Sequence, residues 1–156
     1  MMTKLHFKKY FLRNMRVFLD TNIIIDFFAQ REGHYQKAAV IMELAKQEEI
    51  EIVVSATTFV NAFFLLKGYF DAETLYKKME SLANKCIITP VDGDKVREAL
   101  AMRAKDFEDS VQLLSANTIP ADVIVTRDKH FKDYQEANIM SPTRFLETFY
   151  ENKTQQ

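Results

Sequence analysis

The chain has 156 residues, 47% hydrophobic and 28% charged, with a formal net charge of −1, which places it among single-domain globular proteins. That balance excludes a strongly basic nucleic-acid binder, and a single cysteine, Cys86, excludes an internal disulfide and a cysteine zinc site. No stretch approaches the roughly 18 apolar residues of a membrane span, so no membrane association is expected.

Residues 1–14, "MMTKLHFKKYFLRN", hold four Lys/Arg and no acid. They read as a basic N-terminal extension, because their apolar runs are too short for a signal sequence. Met15 could itself be the start. Removing those four positive charges from the net of −1 leaves −5 for residues 15–156, so any nucleic-acid contact must be local or helped by metal ions. Residues 15–150 read as one domain and the polar residues 151–156 as a tail. Reduced Cys86, set in the apolar run "CIITPV", reads as a small buried hydrophobe and fits a cytoplasmic setting.

"RVFLD" is a short apolar run with strand character. "TNIIIDFFAQRE" follows as a helix, with Thr21 or Asn22 offering the capping oxygen. In "GHYQKAAVIMELAKQEE", Ala38, Ile41, Met42 and Ala45 are spaced as one helical face. "IEIVVS" is a second buried strand, and "ATTFVNAFFLLKGYF" a helix capped by Thr57 or Thr58 and ending near Gly68. Phe59, Phe63 and Phe64 on that helix read as core side chains, with an interface as the alternative. "DAETLYKKMESLANK" is an amphipathic helix behind an Asp cap, "CIITPV" a third strand and "DGDKVREALAMRAK" another helix. "DFEDSVQLLSANT" opens with acids, as suits a helix N-terminus. "ADVIVTRD" is a fourth strand, and "IMSPTRFLETFY" an extended stretch with a closing helix. Strands alternating with helices predict an α/β fold around a mostly parallel sheet of four or five strands.

Ligands of open parallel sheets bind beyond the carboxyl ends of the strands. Asp20 ends the first strand, Asp128 follows the fourth, and Asp106, Glu108 and Asp109 open the helix that leads into the fourth. Singly, each reads as a cap or a solvated acid; together they converge on one edge. Converging carboxylates repel, and a hard divalent cation such as Mg²⁺ or Mn²⁺ relieves that repulsion while promoting phosphoester chemistry. Rival sites lack their residues. Only Gly33, Gly68 and Gly93 are present, so no phosphate-binding glycine loop forms, and His6, His34 and His130 lack zinc-ligand spacing. A haloacid-dehalogenase-type phosphatase needs a second Asp two residues after the first, where Asn22 stands.

"VFLDTNIIIDFF", "VVSATTFVNAFFLL", "DFEDSVQLLSA" and "ADVIVTRD" occur in the order that resembles PIN-domain proteins, the group that includes VapC-type toxins of toxin–antitoxin pairs. The resemblance spans about residues 15–148. It implies a Rossmann-like three-layer α/β/α sandwich and a Mg²⁺- or Mn²⁺-dependent endoribonuclease, with an antitoxin partner and a homodimeric state. It implies that Asp20, Asp109 and Asp128 hold metal and carry catalysis. Asp106 becomes an accessory acid, Thr126 the hydroxyl residue of the last motif and Asn22 a brace for the first. The second family acid is replaced by Asn61, which can offer a carbonyl oxygen but no charge. That departure keeps open a second reading, a non-catalytic module that binds RNA or protein. Arg127 and Lys129, with His130 and Lys132, surround the last acid and offer phosphate contacts or a solvated loop in equal measure.

Overall fold

The computed structural model describes residues 14–129, 131 and 138–155. The basic extension, His6, His130 and Lys132 lie outside the described residues, apart from Asn14 at the end of the extension. The elements run β1 Met15–Leu19, α1 Thr21–Phe28, α2 Tyr35–Lys46, β2 Ile50–Ser55, α3 Ala56–Leu66, α4 Ala72–Ala83 and β3 Cys86–Thr89. They continue with α5 Gly93–Met102, α6 Phe107–Thr118, β4 Val123–Val125, β5 Ile139–Met140 and α7 Pro142–Thr154. The closing helix therefore continues to Thr154, into the stretch expected to be a tail.

All pairings are parallel, in the order β3-β2-β1-β4-β5. Val17 is the register point at the centre, opposite Ile52 on one side and Val123 on the other. Parallel strands need crossovers, and the helices supplying them cover both faces. Alternation along β1 divides the core in two. Met15, Val17 and Leu19 face one cluster with side chains of α1, α2, α3, α4 and α7; Phe18 faces a smaller one with Val53, Ile124, Leu113 and Ala116 of α6, and Phe131. The chain leaves β1 toward β2 in one direction and toward β4 in the other, so a crevice opens where the order reverses.

Side-chain caps set most helix starts. Asp71, Asp92, Asp106 and Ser141 each accept the amide of the residue three positions on, opening α4, α5, α6 and α7. Two caps fall earlier than expected. Asp20, not Thr21 or Asn22, caps α1 through the Thr21 amide, and Ser55, not Thr57 or Thr58, caps α3 through the Thr58 amide. In each case the strand's last residue is also the helix's first partner, so no loop separates them. Phe64 departs from the core expectation: Phe59 and Phe63 pack against the larger cluster, but Phe64 is 72% exposed. No helix among the described residues is long and apolar enough to cross a membrane.

Candidate metal-binding active site

A cleft of about 410 Å³ opens at the carboxyl ends of β1 and β4, and Asp20, Asn22, Asn61, Asp106, Glu108, Asp109 and Asp128 all line it. The strand ends and the start of α6 thus bring together acids up to 108 positions apart. Arg31 is the single cation among the described lining residues, and Phe64 and Leu65 form an apolar rim.

Asp20 is the most tightly held member. Its Oδ1 accepts the Thr21 amide at 2.8 Å and Gln112 Nε2 at 3.2 Å. Its Oδ2 accepts Thr126 Oγ1 at 2.7 Å and Asn22 Nδ2 at 2.9 Å. Four donors occupy about the full acceptor capacity of a carboxylate. Burial nevertheless dominates and pushes the Asp20 carboxyl above its ordinary value, with the bonds from Thr126, Gln112 and Thr21 opposing that rise and Asp128 adding to it. Asn22 sits where a brace for Asp20 was expected. Thr126 Oγ1 bonds Asp20 and also accepts the Asp128 amide at 2.9 Å, so it links the two strand ends.

Behind Asp20 lies a buried polar network that the sequence reading missed. Gln112 on α6 donates to Asp20, Thr21 Oγ1 and Thr58 Oγ1, and its Oε1 accepts Ser55 Oγ. Thr21 and Thr58 hydroxyls meet at 2.8 Å. These groups tie α1, β2, α3 and α6 together beneath the cleft. Periodicity could have flagged Gln112, because it lies on the helix face shared with Asp109 and Ala116.

Asp109 is 6% exposed, and its buried Oδ2 has no hydrogen-bond partner among the described residues. Burial, then repulsion from Asp106, Asp128, Asp20 and Glu108, pushes its carboxyl up to about 7. Asp106 caps α6 by accepting the Asp109 amide at 3.1 Å, so it serves the helix as well as the cleft. Asn61 Nδ2 donates to Glu108 Oε1 at 3.2 Å. The Glu108 carboxyl is also raised, by partial burial first and then by Asp20, while its bond from Asn61 lowers it.

Arg127 is placed away from the cleft. Its Nε and Nη2 form a two-pronged pair with Asp26 at 2.6 and 2.9 Å, and Asp26 is 1% exposed. Arg31 approaches the same carboxylate at 3.7 Å while lining the cleft. Lys129 is exposed. Cys86, half-buried, has its thiol pushed up to about 12 by burial, which leaves it inert as a nucleophile.

Five carboxylates against one guanidinium give the donor set of a hard divalent cation. Among the described residues, no three His, Cys, Asp or Glu groups stand at metal-ligand spacing. Asp20 is turned onto its four donors. A buried carboxyl oxygen with no partner among the described residues calls for a ligand, an ion or a proton, and Asp109 Oδ2 is such an atom. The residues present therefore fit Mg²⁺ or Mn²⁺.

The PIN domain family model matches residues 16–130. A toxin–antitoxin complex from Klebsiella pneumoniae has a chain that superposes at a TM-score of 0.60 and 21% identity, covering 81% of this chain and 97% of that one. VapC20 of Mycobacterium tuberculosis, described as a sarcin–ricin loop cleaving toxin, gives 0.61 at 13% identity, with 76% and 95% covered. VapBC2 of Rickettsia felis, bound to a promoter DNA fragment, gives 0.59 at 18%, with 81% and 98% covered. At these identities the likeness is one of fold. No curated protein sequence matches significantly. The five-stranded parallel sheet, the acids at its β1/β4 edge and the match over most of the domain agree, and the chain belongs to the PIN domain family.

Proposed function

We propose that this protein is a Mg²⁺- or Mn²⁺-dependent endoribonuclease and the toxin of a cytoplasmic toxin–antitoxin pair, acting as a homodimer restrained by a protein antitoxin. The observation that carries the reading is the buried Oδ2 of Asp109, without a partner among the described residues, in a cleft of five carboxylates. Asp109 and Asp128 would hold the cation, Asp20 joining them by exchanging one Oδ2 donor for it, with Asp106 and Asn61 at the margin and Asn22 and Thr126 orienting Asp20. When bound, the cation supplies charge neutralisation and Lewis acidity toward a phosphate.

The chain's own residues would do the rest. Four donors fix the Asp20 carboxylate so that its position does not change as charge develops. In the metal-free cleft burial and the neighbouring acids hold the Asp109 carboxyl up to about 7, so a bound cation would draw off its proton and leave it an anionic ligand. A water adds to phosphorus, its proton passing to solvent, as the bond to the leaving ribose oxygen breaks and that oxygen takes a proton from solvent. Arg31 supplies the guanidinium for a phosphate oxygen, with Lys129 and, if its pair with Asp26 opens, Arg127 further out. Exposed Phe64 and Leu65 offer a face on which a base can stack.

The test is cleavage of single-stranded RNA by the purified full chain. Activity should require Mg²⁺ or Mn²⁺, stop with a chelator and be absent in Asp109→Asn. Equal cleavage by that variant would overturn the assignment. The alternative, a module that binds RNA or protein without cutting, is favoured by the uncharged Asn61; RNA binding with no cleavage at saturating Mn²⁺ would establish it.

A further inference from the structure

The α3 wall of the cleft contributes Asn61, Phe64 and Leu65, and none of these is an anion. The charge on that side comes from α6 instead. Glu108 leans toward α3, where Asn61 Nδ2 donates to its Oε1 at 3.2 Å. At the next residue of the same helix, the buried Oδ2 of Asp109 stands in the same cleft with no partner among the described residues. Successive residues on α6 therefore present two carboxylates to one space, one held by an amide from the opposite wall and one with an oxygen that has no partner among the described residues.

We propose that Glu108 is a cation-binding residue of this site, held in place by Asn61, and that the pair does the work of a single carboxylate on α3. The proposal rests on the metal-site reading above. Asn61 is suited to the task because its amide nitrogen donates to the carboxylate while its carbonyl oxygen stays available as a neutral ligand. Glu108 is long enough to cross from α6, and its solvent-facing position leaves it free to swing toward an ion. Moving the charge from one helix to the other keeps the number of carboxylates unchanged. Affinity for a hard cation follows that number.

Isothermal titration of the full chain with Mn²⁺ provides a readout independent of cleavage. Glu108→Gln should weaken Mn²⁺ binding roughly tenfold or more, since one ligand charge is lost. The double variant Glu108→Gln/Asn61→Glu reverses donor and acceptor across the same hydrogen bond and should restore most of the affinity. Thermal melts without metal verify that all three proteins are folded. Glu108→Gln titrating like the unaltered chain would overturn the proposal, as would failure of the exchange to recover binding. No Mn²⁺ binding by the unaltered chain would overturn the metal site as a whole, which separates the two outcomes.

Discussion

Replacing Asp109 by Asn should make the metal-free protein more stable, by an amount that depends on pH. Its carboxyl rises from an ordinary 3.8 to about 7 because of burial and four neighbouring carboxylates. A raised value means that the folded protein holds a proton which the unfolded chain has released. Between about pH 4 and pH 7 stability therefore falls as pH rises, and above about 7 the full penalty applies. At about 1.4 kcal/mol per pH unit the penalty is on the order of 4 kcal/mol. Relaxation of the neighbouring acids reduces it; a gain of about 2–4 kcal/mol at pH 8 is expected, or about 5–15 °C in Tm. Near pH 4 the gain should vanish. Urea titrations of both proteins across pH 4–8 in chelator measure this directly. A gain that is the same at both ends, or absent throughout, would refute the view that Asp109 is a strained anion waiting for a counter-ion.

Two further outcomes follow from the buried polar groups. Arg127→Leu leaves the Asp26 carboxylate buried without its two-pronged partner, and should destabilise the fold by about 3–5 kcal/mol in urea. If Arg127 serves RNA instead, cleavage will fall while the unfolding midpoint stays where it was. Gln112→Leu strips donors from Asp20, Thr21 and Thr58 and an acceptor from Ser55, and should cost about 1–3 kcal/mol by the same assay. A neutral result would mean that the hydroxyls re-pair among themselves.

The sheet was legible because buried parallel strands are short apolar runs, and "RVFL", "IEIVVS" and "VIV" stand out against helical spacing. The convergence of Asp20, Asp109 and Asp128 followed once the strands were taken as parallel. What lay hidden were polar side chains whose partners are remote in sequence. Asp26 looks like an exposed polar residue in "IIIDFF", yet its partner is 101 positions away and it is buried. Gln112 in "SVQLL" carries no local sign of the four groups it joins. The caps were displaced for a different reason: Asp20, Thr21 and Asn22 are all competent to cap, and only the strand's end point decides among them. Phe64 was misjudged because helical spacing alone does not tell a buried face from a cleft rim.

The four-donor grip on Asp20 makes the cleft unequal in how far it can drift. No other natural side chain of that length accepts four hydrogen bonds, so any substitution there unsettles the start of α1 and the Thr126 link to β4. Across the cleft, Asn61 and Glu108 meet through one exposed bond. Mutation on the Asp20 side is paid in folding; mutation on the Asn61 side disturbs one exposed hydrogen bond and the local charge. Change that leaves the fold intact is thereby channelled to one wall of the cleft.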